Sequence, residues 1–134
     1  MFHHQIEPRF SDTDGLGHIG NTAYPTWFEH ARMPIFRIFH PSLELASWPL
    51  IVARVAIDYR AQCHWGLPVD IQTGIGRIGN SSFQAIQTAQ QNGVEVARSE
   101  AVLIHFDYAS EQSLPIPDHI RQQLEPHIVE AGSN

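Results

Sequence analysis

The chain has 134 residues and 15.1 kDa, 43% hydrophobic and 16% charged, which is the composition of one globular domain and not of a disordered or fibrous segment. All eight basic residues are Arg, set against fourteen Asp and Glu; the net charge of −6 disfavours a nucleic-acid partner held by charge, and the missing lysine excludes a P-loop, Schiff-base chemistry and a PLP anchor. The single cysteine, Cys63, permits neither an internal disulfide nor a Cys-rich zinc site, the longest apolar stretches fall far short of the roughly 20 residues of a membrane span, and the first residues show no leader pattern, so a reduced, cytoplasmic protein with no membrane partner is expected.

In chain order, residues 2–10 read as a first strand and residues 11–20 as a loop punctuated by Gly15, Gly17 and Gly20. From Asn21 the period changes. Tyr24, Trp27, Phe28, Ala31, Ile35, Ile38 and Phe39 recur at three- and four-residue steps, one apolar face of a long helix that Asn21 or Thr22 can cap. Pro34 should kink its last turns, and His40-Pro41 ends it. After a loop through Pro49, alternating runs begin at Ile51, Val69, Phe83 and Val94, with hairpin signals at Gly79-Asn80 and Asn92-Gly93. A short helix over about 117–127 closes the chain. Short turns force antiparallel pairing, so one apolar helix wrapped by one antiparallel sheet is expected, a single α+β domain over residues 1–134. A domain of this size has little room for both a core and a deep private site, which favours assembly into an oligomer.

Gly15-Leu-Gly17-His18-Ile-Gly20 matches a dinucleotide fingerprint, but a single βα unit with a polar preceding strand and hairpin-connected strands afterwards argues against that reading. Asp12-Thr-Asp14-Gly begins like a calcium loop, yet the twelfth position is Ala23 rather than a bidentate carboxylate. The nine histidines lack metal-ligand spacing, so no metal is expected. Ser81-Ser82 lacks a nucleophile elbow. What remains is a carboxylate pair, Asp12 and Asp14, which in extended chain would point to one side just ahead of a helix N-terminus. Such an end can polarise a carbonyl oxygen while a carboxylate attacks it or activates water; the alternative is that both aspartates only cap turns.

Arg9-Phe-Ser-Asp12-Thr-Asp14-Gly-Leu-Gly17-His18-Ile-Gly-Asn21-Thr-Ala-Tyr24, followed by Phe28-Glu29-His-Ala31-Arg32, resembles the opening signature of the hotdog-fold acyl-CoA thioesterases, and of the 4-hydroxybenzoyl-CoA thioesterase-like family within them. The resemblance continues in order through Ile57-Asp58-Tyr59-Arg60, Gly66, Arg77 to Phe83, Val96-Ala97 and Pro115-Ile-Pro117. It implies a hotdog, a long central helix wrapped by a five-stranded antiparallel sheet, that hydrolyses an acyl-CoA to free acid and CoA as a homodimer or homotetramer with its site at the subunit interface. CoA is then part of the substrate and no other cofactor is implied. By the same resemblance Asp14 is the catalytic carboxylate, nucleophile or general base, and the backbone N–H at Asn21 polarises the thioester carbonyl. Gly17, His18 and Tyr24 match positions lining the site; Asp58, Tyr59, Arg60, Gly79, Asn80, Ser81 and Ser82 match segments bordering the acyl-pantetheine groove. Gly20 departs from the family, where many relatives carry Asn. Cys63 reads as a small packing residue, and one of Trp27, Phe28, Phe36 and Phe39 could floor an acyl pocket. The rival readings are a hotdog hydratase–dehydratase built on His18 and Glu29, and an acyl-thioester-binding hotdog without turnover. The residues leave open the acyl group and whether its carrier is CoA or acyl carrier protein.

Overall fold

The computed structural model describes residues 1–129. In order these form β1 (Phe2–Ile6), α1 (Ala23–Ala31), α2 (Met33–Phe39), β2 (Leu50–Tyr59), β3 (Val69–Ile78), β4 (Ser82–Gln91), β5 (Val94–Asp107), β6 (Gln112–Ser113) and α3 (Asp118–Leu124), with single 3-10 turns at Phe10–Asp12, Leu45–Ser47 and Glu125–His127. The strands make one antiparallel sheet in the order β1-β3-β4-β5-β2, and the two-residue β6 adds to β5. The sheet curls around the helices, which is the α+β hotdog architecture the resemblance implies; β6 is the one addition to the five expected strands.

Local chemistry explains the element ends. Asn92 and Gly93 both have positive φ (52° and 76°), the geometry of a tight turn whose twist suits the flanking β4 and β5. The first strand stops at Ile6 instead of running to residue 10, since Pro8 brings no N–H and the chain turns at Phe10–Asp12. The expected single helix is two: α1 stops at Ala31, Arg32 bridges, and Pro34 lies in the first turn of α2. There a missing N–H costs little, whereas inside a continuous helix it would leave the carbonyl four residues back without its donor. Proline therefore ends one helix and starts another.

This break divides the interior. One apolar cluster lies under α1 and includes Tyr24, Trp27, Phe28, Cys63, Ile71 and Val96; a second lies under α2 and α3 and includes Ile35, Phe39, Ile75, Phe83, Leu103 and Leu124. Between them a row of buried polar side chains crosses the sheet, because Thr73 of β3 faces Gln87 of β4, which faces Ser99 of β5. Gln87 uses both ends of its amide. Its Nε2 donates to the Phe28 carbonyl (2.9 Å) and to Thr73 Oγ1 (3.0 Å), and its Oε1 accepts from Arg32 (3.2 Å). Buried polar groups cost stability unless paired, so the bonds of Gln87 to Phe28, Thr73 and Arg32 fix where the α1–α2 junction sits on the sheet.

Candidate active site

The loop before α1 is a small hairpin. The Asp14 N–H donates to the His18 carbonyl (2.9 Å), Thr13 faces Ile19, and Gly15 and Gly17 take positive φ (89° and 82°) that other residues adopt only with strain. A second segment clamps it: the Ile19 N–H donates to the Cys63 carbonyl (2.8 Å) and the Trp65 N–H to the Gly17 carbonyl (3.0 Å), while His18 faces His64. That segment is held in turn by buried Gln91, whose amide bonds both His64 and the Leu67 carbonyl.

Asp12 and Asp14 do not form a pair on one side. The chain at Asp12 is a 3-10 turn, not an extended strand, so the two side chains diverge. Asp12 is buried and accepts from the Arg9 N–H (2.8 Å) and the Arg9 guanidinium (3.4 Å), a structural role. Asp14 is exposed; its Oδ1 accepts the Leu16 N–H (2.9 Å), and its second oxygen has no partner among the described residues.

At the start of α1, the Asn21 and Thr22 N–H groups make no hydrogen bond among the described residues, whereas the Ala23 N–H is already spent on the Gly20 carbonyl (3.1 Å). The Tyr59 hydroxyl, at the end of β2, donates to the Asn21 carbonyl (3.0 Å) and so pins this corner. Tyr24 packs beneath, its ring 5.3 Å from that of Tyr59, with its hydroxyl beside the Cys63 thiol. Burial pushes the Tyr24 phenol and the Cys63 thiol above their ordinary values, so both stay protonated. Asp58 and Arg60 flank Tyr59, and Arg60 pairs with Glu95 (3.2 Å), which also holds Arg98 (3.1 Å).

Asp14, Gly17, His18, Asn21, Tyr24, Asp58, Tyr59 and Arg60 thus gather at one end of the molecule. Gly79, Asn80, Ser81 and Ser82 do not join them within one chain. They form the β3–β4 turn at the opposite end of the ten-residue β3, roughly 30 Å away along the strand. There Arg121 donates to the Gly79 (2.7 Å) and Asn80 (3.0 Å) carbonyls.

Sequence reading missed a feature near the α1–α2 break. A cavity of about 390 Å³ is lined by Met33, Phe36, Trp48, Leu50, Val52 and Leu103, with Arg32 in its wall and Thr26, Glu29 and His30 completing it. Of the four aromatics the sequence offered for a pocket floor, Phe36 is among the lining residues, beside Trp48. Among the described residues no group of three or more His, Cys, Asp or Glu could hold a metal ion, and no helix is long and apolar enough to cross a membrane.

The family model described as the thioesterase-like superfamily matches residues 8–124. The chain belongs to this superfamily. Thioester hydrolysis is therefore its class of activity, and a hotdog its scaffold. The chain is similar to a structure described as a predicted thioesterase from Bacillus stearothermophilus, at 41% identity over 98% of each chain and a TM-score of 0.94. It also resembles a thioesterase from Thermus thermophilus solved with coenzyme A and Zn, at 27% identity over 92% of this chain and 91% of that one, TM-score 0.81. A third relative, a putative thioesterase from Pseudomonas aeruginosa, is 26% identical over 91% of this chain and 96% of that one, TM-score 0.82. No curated protein shows significant similarity to the chain.

Proposed function

We propose that this hotdog hydrolyses acyl-CoA thioesters to the free acid and CoA, with Asp14 as its catalytic carboxylate. The observation that carries the assignment is the state of that carboxylate. It is exposed, with one oxygen oriented by the Leu16 N–H and the other unoccupied, a few residues ahead of the two unspent donors at Asn21 and Thr22. A thioester oxygen facing those donors becomes negatively charged as the tetrahedral intermediate forms, and fixed N–H groups lower that barrier without reorganising. Two routes balance. In one, Asp14 attacks the carbonyl, CoA thiolate departs, and water hydrolyses the acyl-aspartyl anhydride. In the other, Asp14 takes a proton from water, which attacks directly. In both the C–S bond breaks and the thiolate leaves as CoA.

The working unit in this reading is a dimer joined through β2. Among the described residues this strand pairs with β5 alone, and Val52, Ala53, Arg54 and Val55 are exposed in succession, so neither face of its middle is covered. A long apolar edge of this kind invites a second strand. Two-fold pairing about its middle would set Tyr59 of one copy opposite Leu50 of the other, bringing the Asp14 end of one protomer against the cavity of its partner. The bound coenzyme A of the Thermus relative supports a CoA-type carrier. The hydratase–dehydratase alternative gains nothing: no hydrogen bond or ion pair joins His18, in the loop before α1, to Glu29, near the far end of that helix.

Free-thiol release from a panel of acyl-CoAs tests the activity; binding without release would leave a non-catalytic binding protein. A single turnover in ¹⁸O-water separates the routes. Label entering the Asp14 carboxylate marks the nucleophile; label confined to the released acid fits direct water attack or opening of the anhydride at its acyl carbon, and trapping of an acylated Asp14 tells these two apart.

A further inference from the structure

Arg32 is 3% exposed, one of the few charged groups inside the molecule. An interior guanidinium ordinarily sits against a carboxylate. The ion pairs between described residues include Arg9–Asp12, Arg60–Glu95 and Arg98–Glu95, and Arg32 belongs to none of them. Its one side-chain partner is the neutral Gln87, at 3.2 Å, and its buried Nε has no acceptor. Glu29 stands near enough to favour the charged form but outside ion-pair distance, and burial, the larger effect, pulls the guanidinium below its ordinary value. The group is held as a donor without a matching anion.

It is also placed where a ligand can reach it. Arg32 is the buried cation in the wall of the 390 Å³ cavity, which also takes Thr26, Glu29 and His30; the remaining walls are the apolar Met33, Phe36, Trp48, Leu50, Val52 and Leu103. A mainly apolar cavity with one buried cation suits a ligand that is hydrocarbon along its length and anionic at its tip. The lining residues Leu50 and Val52 lie on β2, the strand whose pairing would present this cavity to the thioester site of the partner.

We propose that the cavity receives the far end of the acyl group and that Arg32 binds a carboxylate there, so that the preferred substrates are CoA thioesters of dicarboxylic acids. This rests on the thioesterase reading and names its substrate class. The carboxylate supplies the acceptors the guanidinium lacks, in the forked geometry that suits arginine. A plain acyl chain of the same length leaves the cation buried and unpaired, and Glu29, outside ion-pair distance, offers it only distant compensation.

The experiment compares kcat/KM for matched pairs: succinyl- with butyryl-CoA, glutaryl- with valeryl-CoA, adipyl- with hexanoyl-CoA. The wild type should favour the carboxylated member of at least one pair by about 10²-fold, the scale on which a buried charge left unpaired discriminates. Arg32→Met should bring that ratio to about one, whatever it does to absolute rates; Arg32→Lys should keep part of it. A purely structural arginine would lower both members equally, which overturns the proposal. So does a wild type that prefers the uncharged member in every pair, a result that needs no variant to fold. If no thioester is hydrolysed, the thioesterase reading fails on its own. The pairs are then compared by equilibrium binding to the wild type: tighter binding of adipyl- than hexanoyl-CoA sustains the cavity assignment, and equal or weaker binding overturns it.

Discussion

Two tyrosines and a cysteine beside α1 divide the work between positioning and packing. Tyr59 reaches the Asn21 carbonyl from the end of an exposed strand, so Tyr59→Phe removes one partly solvated hydrogen bond. Stability should change by no more than about 1.5 kcal/mol, and kcat should fall by roughly 2- to 10-fold as the helix start loosens. Steady-state kinetics beside urea unfolding checks this, and unchanged kcat would remove Tyr59 from the site. Cys63 and Tyr24 are buried with their protons held tightly, so their effect on stability follows pH in a fixed direction. Each acid is harder to ionise folded than unfolded. The stability this represents is fully present below the ordinary thiol range and is lost as pH rises through the elevated folded values. Urea unfolding should show declining stability from about pH 8 to about pH 10, with a shallower decline in Cys63→Ala. A flat wild-type profile would contradict the protonated pair. At this scale the sequence separated the aspartates only in part. Their alternation in extended chain suggested one shared side, but a 3-10 turn turned Asp12 into a cap for Arg9 and left Asp14 outside. Arg32 was invisible as a site, since an arginine inside one expected continuous helix reads as a solvated side chain until the packing puts it in a wall.

Periodicity and turn chemistry carried most of the element order, because each depends on near neighbours. Asn92-Gly93 announced its hairpin through φ, and the alternation along much of β4 and β5 matched a sheet with one covered face, whereas Thr73–Gly76 of β3 are buried in succession. Pro34 was legible as a disturbance but not as a boundary. Whether a helix bends or restarts depends on what the freed groups meet, and here Gln87 on a distant strand meets both the Phe28 carbonyl and Arg32. The bulge in β3 is another long-range effect. Register slips between Ile75 and Ile78, and a Cβ on Gly76 would come within 2.8 Å of Gln84 Oε1 and 3.0 Å of its Cβ. Gln84 is itself engaged, accepting the Arg77 N–H at 3.0 Å. Gly76→Ala should therefore destabilise by about 1–3 kcal/mol through overpacking. An unfolding midpoint at or above that of the wild type would show that the close approach is easily relieved.

For the molecule as a whole, one domain and an antiparallel wrap follow from length and short turns, whereas assembly is written in surface features that a sequence shows poorly. β2 read as a strand like the others; only its place at the sheet edge, with Val52 and Val55 at 44% and 45% exposure, distinguishes it. If two copies join there, Val55→Asp places a charge at the seam while costing an isolated protomer little. Analytical ultracentrifugation should find a dimer for the wild type and a monomer for the variant, with hydrolysis lost alongside. A fully active monomer would end the shared-site reading. The distant Gly79–Ser82 turn is subject to the same limit, since one chain cannot bring it to Asp14.

The most direct measurement is thiol release by Asp14→Asn against the wild type, with folding of both confirmed by circular dichroism. The substitution keeps an oxygen that can accept the Leu16 N–H while removing the charge, so the loop should hold its shape. Turnover should fall by at least about 10²-fold, the contribution of a positioned acid–base group. Equal turnover in the two proteins would contradict the assignment of Asp14 and move the chemistry elsewhere on the chain.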